Sequence, residues 1–131
     1  MKKELDEELC KKYPKIFSDR LAPMTETAMC WGFSCDDGWY NIIESLCHCI
    51  QSHIDWKNRD KETVKQVVAL QVKEKFGGLR FYVKGGDDYT DGMIALAETL
   101  SEATCEKCGA PGKTRTGFWV STLCDTHAKS C

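Results

Sequence analysis

The sequence lacks the segments that direct a chain into or across a membrane. No apolar run approaches the roughly 18–20 residues that a membrane-spanning helix needs. The first ten residues, MKKELDEELC, carry acidic side chains where a secretory signal peptide has its apolar region. We therefore expect a soluble protein of the intracellular type, with no membrane partner.

An excess of positive charge and the familiar catalytic motifs are also missing. The 18 basic residues are outnumbered by 20 acidic ones, which weighs against bulk nucleic-acid binding. There is no G-x-S-x-G elbow, no P-loop and no H-E-x-x-H helix. A Cys–His nucleophile pair remains an alternative, but no pair stands out, so we expect a protein that is not an enzyme.

The chain is short and rich in cysteine. Its 131 residues suffice for one domain, or for one domain with a small appended module, and a hydrophobic fraction of 42% is typical of globular proteins. Nine cysteines, an odd number, without an export signal do not indicate a disulfide framework. Metal ligands and buried thiols explain them better.

Hydrophobic spacing predicts a small domain of the α+β class. We expect a short helix over residues 2–12, a long amphipathic helix over about 37–56, and a further helix over about 89–103. The apolar residues of this last helix that share one face are Met93, Leu96, Ala97 and Leu100. Two alternating runs on either side of Gly77-Gly78 predict a β-hairpin. A helix over 64–75 is the alternative to its first strand.

The most specific motif lies in the last third of the chain. Cys105 and Cys108 form a C-x2-C pair, and Cys124 and His127 form a C-x2-H pair fifteen residues further on. Two such pairs can supply the four tetrahedral ligands of one Zn²⁺ ion, and four protein ligands leave no open position, so the ion would be structural. Gly109 permits the left-handed turn that closes the first pair. A redox C-x-x-C and unliganded buried cysteines are the alternatives.

This motif also predicts how the domain is divided. We expect a core domain over residues 1–103 and, packed on it, a zinc-binding module over 104–131 of the treble-clef or ribbon type. Within that module, Phe118-Trp119-Val120 can form part of a short hairpin between the two ligand pairs.

The remaining cysteines leave a second metal site open. Cys49 and His53 are one helical turn apart and could share an ion, and three further cysteines lie at Cys30, Cys35 and Cys47. Free cysteine is also among the most buried residue types and packs as a small hydrophobe. Because the spacing matches no tetrahedral template well, we favour packing thiols.

The predicted hairpin carries a possible ligand-binding face. If Leu79, Phe81 and Val83 face the core, the opposite face of that strand presents Arg80, Tyr82 and Lys84. On the partner strand we expect Val68, Leu70 and Val72 to face the core, and Gln71, Lys73 and Lys75 to face outward. Cations beside an aromatic ring suit a phosphate attached to a flat base, although charged strand faces are usually just solvated.

A second group of aromatic residues surrounds the turn-rich loop before the long helix. Trp31 and Trp39, with Tyr40, could wall a pocket at this loop. The same residues could instead be the core contacts that hold the loop, since Trp and Tyr bury large areas.

Several blocks of the sequence resemble a widespread group of small bacteriophage proteins of unassigned function. They are YPKIF (13–17), MTETAMCWGFSCDDGWYNII (24–43), QVKEKFGGLRFYV (71–83), CEKCGAPGK (105–113) and TLCDTHA (122–128). The resemblance implies a phage accessory protein in the cytoplasm of a bacterial host. Proteins of this class often counter host defence, by binding a nucleotide immune signal or a defence protein.

Three functions therefore remain open at the level of sequence. The favoured one is binding of a small anionic, nucleotide-like ligand at the basic and aromatic residues. The second is inhibition of a host protein through a surface that zinc holds in shape. The third is nucleic-acid binding by Lys107, Lys113 and Arg115, which the acidic balance makes the weakest. Self-association is compatible with each of them.

Overall fold

The computed structural model describes residues 1–129 and contains helices and two small sheets. The α+β class is confirmed, as are the predicted helices and the hairpin. The helices are α1 (Lys3–Lys12), α2 (Tyr40–Lys57), α3 (Asp88–Ser101) and α4 (Asp125–Ala128), and the strands are β1 (Phe33–Ser34), β2 (Val68–Lys75), β3 (Gly78–Lys84), β4 (Lys113–Arg115) and β5 (Ser121–Leu123). Two 3₁₀ turns, Met29–Trp31 and Asp37–Trp39, precede β1 and α2.

The larger sheet has the strand order β1-β2-β3. Strand β1 runs parallel to β2, and β2 pairs antiparallel with β3. Phe33, Val72 and Phe81 are opposite one another across the three strands and are buried. The next row, formed by Ser34, Lys73 and Arg80, lies on the other face, because successive side chains of a strand alternate between the two faces.

A β-bulge between Ala69 and Gln71 corrects the predicted pattern of β2. An extra residue at this point shifts the alternation, so that Ala69 is fully buried while Val68 and Leu70 are only half-buried. The prediction that Val68 and Leu70 face the core was therefore wrong. Val72 beyond the bulge is buried as predicted.

The predicted polarity of β3 is confirmed from Leu79 to Tyr82. Leu79 and Phe81 are buried, Arg80 is half-buried, and Tyr82 is 42% exposed. Val83, expected in the core, is half-buried and packs at the edge of it.

Helices α2 and α3 cover the buried face of this sheet. The apolar side of α2 reaches the core through Ile43, Ile50 and Ile54. Helix α3 also shields the open edge of β3, since Ser101 Oγ and the Glu98 carboxylate accept the backbone amides of Leu79 and Phe81. An unpaired strand edge is thereby satisfied within the chain.

The first turn of α3 is fixed by Asp87. Its carboxylate accepts the backbone amide of Thr90, and the Thr90 hydroxyl accepts the amide of Asp87, which together form a capping box. The second carboxylate oxygen of Asp87 lies 2.9 Å from His53 Nε2 on α2. The hydrogen bond from His53, and then the amide of Thr90, lower the pKa of Asp87 below its ordinary value of 3.8.

This cap predicts an acid-dependent part of the stability. Because the folded-state pKa of Asp87 is depressed, its carboxylate stabilises the fold above pH 3.8, and that contribution disappears as the pH falls through the folded-state pKa. Asp87→Asn retains a hydrogen-bond acceptor but does not titrate. We expect urea unfolding between neutral pH and acid to show a smaller loss in the variant, by about 0.5 kcal/mol after screening by solvent. Identical pH profiles would contradict this role.

Candidate metal centre

Two tight turns bring the predicted ligands together at one end of the smaller sheet. Cys105 and Cys108 lie on a loop closed by a hydrogen bond of 2.8 Å from the Gly109 amide to the Cys105 carbonyl. Gly109 has a φ of 81°, the left-handed conformation predicted for it. Cys124 directly precedes α4, and His127 lies within that helix.

The four side chains form one compact cluster. Their ligand atoms all lie within 4.8 Å of one another, so they could hold a metal ion. The Sγ atoms of Cys108 and Cys124 are 3.9 Å apart. Nδ1 of His127 lies 3.5 Å from the sulfur of Cys105 and 3.3 Å from that of Cys124.

These distances fit a tetrahedral ion with sulfur and nitrogen ligands. With Zn–S bonds of about 2.3 Å and Zn–N bonds of about 2.0–2.1 Å, a regular tetrahedron places two sulfurs about 3.8 Å apart and sulfur and nitrogen about 3.6 Å apart. The three separations given above agree with these values to within a few tenths of an ångström, and the whole cluster lies within 4.8 Å. The donor set of three thiols and one imidazole also suits zinc.

The backbone around Cys105 favours the thiolate that a metal requires. Cys105 is fully buried, and burial alone would raise the pKa of its thiol. Backbone amides that donate to the sulfur outweigh burial and lower the pKa to about 6; they belong to Cys124, Cys108 and Lys107. The loop that carries Cys105 and Cys108 thus stabilises negative charge on the sulfur of Cys105.

A second layer of contacts holds the ligands in place. The Arg115 guanidinium on β4 donates to the Asp125 carboxylate at 2.8 Å and to the Leu123 carbonyl at 3.1 Å. Arg115 lowers the pKa of Asp125, consistent with this pair. Strand β4 is thereby tied to the start of α4, between the ligands Cys124 and His127.

The ligand loop also packs directly on the start of α2. The Gly38 amide donates to the Glu106 carbonyl at 2.6 Å, and Trp39 Nε1–H donates to the Thr104 carbonyl at 2.9 Å. A Cβ at Gly38 would collide with the carbonyls of Cys105 and Glu106, so this close approach requires glycine. The predicted boundary between residues 103 and 104 therefore falls beside a tight contact; Ser130 and Cys131 lie outside the described residues.

The other cysteines form no second metal site within residues 1–129, where the cluster at Cys105 is the one group with suitable geometry. Cys35 and Cys47 are buried, and burial raises the pKa of Cys35 to about 12 and that of Cys47 well above its usual value. His53 is bonded to Asp87 rather than to a neighbouring cysteine. The expectation of packing thiols is confirmed for Cys35 and Cys47, but Cys30 is only half-buried, and for the exposed Cys49 it was wrong.

The hairpin face brings three of the candidate ligand-binding residues together. Lys73 is directly opposite Arg80, and Lys73 Nζ lies 5.9 Å from the centre of the Tyr82 ring. Lys75 is at the end of β2, with its Nζ 5.9 Å from the ring of Phe76. Lys75 thus lies two residues further along the strand, beside the hairpin turn.

The two tryptophans predicted for this site differ in their exposure. Trp39 is fully buried in the core, so it cannot stack on a ligand, and that part of the prediction was wrong. Its indole is needed for packing and for the hydrogen bond to Thr104. Trp31 ends the first 3₁₀ turn and is 70% exposed.

Sequence reasoning missed a group of exposed aromatic side chains at the tips of the two hairpins. Phe118 and Trp119 lie in the turn between β4 and β5, and Trp119 is 72% exposed. Phe76 in the turn between β2 and β3 is 73% exposed, and these three side chains line one cavity of about 250 Å³. The two tips are joined by a hydrogen bond from Thr122 Oγ1 to the Gly77 carbonyl. The run Phe118-Trp119-Val120 was the feature of the sequence that could have indicated this group.

Comparison with known proteins assigns the chain to no family. No protein-family model, curated protein or solved structure matches the chain. Within residues 1–129, no helix combines the length and the apolar character needed to cross a membrane. The function is therefore argued from the residues themselves.

Proposed function

We propose that Cys105, Cys108, Cys124 and His127 bind one Zn²⁺ ion with a structural role. The separations of their ligand atoms support this, as does the depressed pKa of Cys105. Four protein ligands complete the tetrahedron and leave no position for substrate or water. The ion would hold together a module with few apolar residues of its own.

We further propose that the protein is a non-enzymatic phage accessory protein that counters host defence by binding a small anionic, nucleotide-like ligand. One observation carries this proposal: Lys73 and Arg80 are directly opposite each other across β2 and β3. In the part of the chain that the structure describes, neither forms an ion pair. Like charges directly opposite destabilise a sheet, and a bound anion would remove that repulsion.

The neighbouring groups favour a flat anion over a simple one. The Arg80 guanidinium is planar and can hold a phosphate by two parallel hydrogen bonds as well as by charge. Tyr82, 42% exposed beside Lys73, offers a ring on which a base can stack. Both features belong to the same strand face, within reach of one nucleotide.

We expect Arg80→Ala to weaken binding of the ligand by roughly 1.5–3 kcal/mol, the usual effect of losing a charged hydrogen bond. The fold should survive, because Arg80 is half-buried on the outer face and, among residues 1–129, its side chain donates a hydrogen bond only to the adjacent Leu79 carbonyl. Calorimetry against a panel of cyclic and linear nucleotides measures the effect.

The matched control is Arg59→Ala, which removes the same charge from an exposed residue after α2. It should bind as the wild type does. If no nucleotide binds the wild-type protein, or if both variants lose affinity equally, ligand binding at this face is refuted.

The exposed aromatic residues at the hairpin turns, Phe76, Phe118 and Trp119, favour a second candidate function, a zinc-stabilised inhibitor of a host protein. Phe76 adopts a φ of 53°, a conformation that is unfavourable for a bulky residue, and Gly77 follows with a φ of 82°. Two residues with positive φ form the tight turn that suits a hairpin, and Asn or Gly is usual at the first of them. A strained aromatic residue held in solvent is more typical of a binding site than of packing.

Affinity purification from the bacterial host separates the two candidates. The inhibitor hypothesis expects a host protein to copurify with the wild type and to be lost from Trp119→Ala, while Arg80→Ala retains it. The opposite dependence would favour ligand binding. Nucleic-acid binding is the weakest hypothesis, since Arg115 and Lys107 already pair with Asp125 and Asp36.

A further inference from the structure

An apolar groove runs between α2 and α3 on the side away from the sheet. It has a volume of about 360 Å³, and its floor includes Leu46 and Ala97. On the α3 side Leu96 is 60% exposed and Leu100 is 50% exposed. The spacing predicted one apolar face that consists of Leu96, Leu100, Met93 and Ala97. Of these four, Ala97 is buried, and α3 otherwise reaches the core through Thr90, Ile94 and Ser101. Within residues 1–129, Leu96 and Leu100 are thus left without a covering partner.

The residues that line the groove carry no charged side chain. No exposed residue of α2 from Asn41 to Ser52 is Asp, Glu, Lys or Arg. The same is true of the exposed residues of α3 from Gly92 to Leu100. By contrast, every exposed position of α1 is charged, in a protein with 29% charged residues. Depletion of charge around an apolar centre distinguishes the core of a protein–protein interface from ordinary surface.

Gly92 provides an independent indication of close contact. It lies one turn before Leu96 on the same side of α3, and a Cβ at this position would meet nothing within 4 Å. Glycine disfavours a helix and nothing in the chain requires it here. Close approach of another backbone would explain why the position has no side chain.

We propose that this groove is the interface of a homodimer, in which α2 and α3 pack on the same helices of a second copy. An uncharged surface suits a copy of itself, because a face that carried one sign of charge would repel its own duplicate. A two-fold axis through the groove makes the patch self-complementary, with Leu96 and Leu100 of each chain inserted between the helices of the other. The four helices would then pack as in a bundle.

Sedimentation velocity of the zinc-loaded full chain tests this, from about 1 µM to about 100 µM. We expect a concentration-dependent change from one copy to two. Leu96→Glu should weaken association at least about tenfold, because the dimer would bury a carboxylate without a partner. Leu21→Glu is the control, since Leu21 is 93% exposed and lies outside the groove, and it should associate as the wild type does.

A second variant guards against simple misfolding. Gly92→Leu should make the isolated chain more resistant to heat, because leucine favours a helix and meets no neighbour, yet it should weaken association. Alkylation of the exposed Cys49 in the groove should also slow as the wild-type concentration rises. A wild type that stays monomeric throughout, or variants that associate normally, would overturn the proposal. Ligand binding by Arg80 would be unaffected by either result.

Discussion

Replacement of Cys108 by Ser is expected to release the metal and to unfold the chain from about residue 104 onward. Structural Zn²⁺ contributes about 10–16 kcal/mol in small zinc modules, and loss of one of four ligands removes a large share of this. The module has little regular secondary structure of its own, because β4 and β5 are three residues each and α4 is four. Cys108 is exposed, so the change leaves no cavity that could unfold the protein for another reason.

Native mass spectrometry and amide NMR measure the outcome. The wild type should carry one zinc ion per chain and the variant none. Amide signals from about residue 104 onward should lose dispersion, while α2 and α3, which lie outside the module, keep theirs. Cys49→Ser removes another exposed thiol and should retain the metal. A Cys108→Ser protein that holds zinc as tightly as the wild type would show that this cluster is not the site.

Trp39→Ala is expected to destabilise the whole protein by about 3–5 kcal/mol, the usual effect of deleting a large buried aromatic side chain. Trp39 is fully buried between the core and the ligand loop, and its indole N–H donates to the Thr104 carbonyl next to Cys105. The variant therefore loses packing and leaves that carbonyl without its partner. Urea unfolding with zinc in excess measures the loss.

Two companion variants separate packing from hydrogen bonding. Trp39→Phe keeps most of the apolar contact and should lose about 1–3 kcal/mol, the effect of an unsatisfied buried polar group. Trp31→Ala, at a residue that is 70% exposed, should stay within about 0.5 kcal/mol of the wild type. Equal losses at Trp31 and Trp39 would contradict the burial on which this prediction depends.

Local patterns in the sequence sufficed for most of the secondary structure. The spacing of Ile43, Ile50 and Ile54 predicted α2, and the alternation of Leu79 with Phe81 predicted the inner face of β3. Each pattern shows which side of one helix or strand faces the core, and it is carried by residues that are close together in the sequence. The bulge at Ala69 could not be predicted from the sequence, because it depends on how β2 pairs with a second strand.

The same distinction applies to the functional residues. The spacing of the Cys–Cys and Cys–His pairs predicted which four residues form the candidate metal cluster, because a tetrahedral ion needs short turns of fixed length. Lys73, Arg80 and Tyr82 could be assigned to one face from strand periodicity alone. Which tryptophan is buried could not be determined, since Trp31 and Trp39 have the same chemistry and differ only in what packs on them.

By itself, then, the sequence determined the α+β class, the four residues of the candidate metal cluster and the outer face of β3, all of which follow from periodicity and spacing within short segments. Only the tertiary structure decided that Trp39 joins the core to the ligand loop, that Phe76 and Trp119 meet at neighbouring turns, and that Leu96 remains exposed beside α2. These depend on contacts between residues far apart in the chain, and such contacts leave no periodic trace in the sequence.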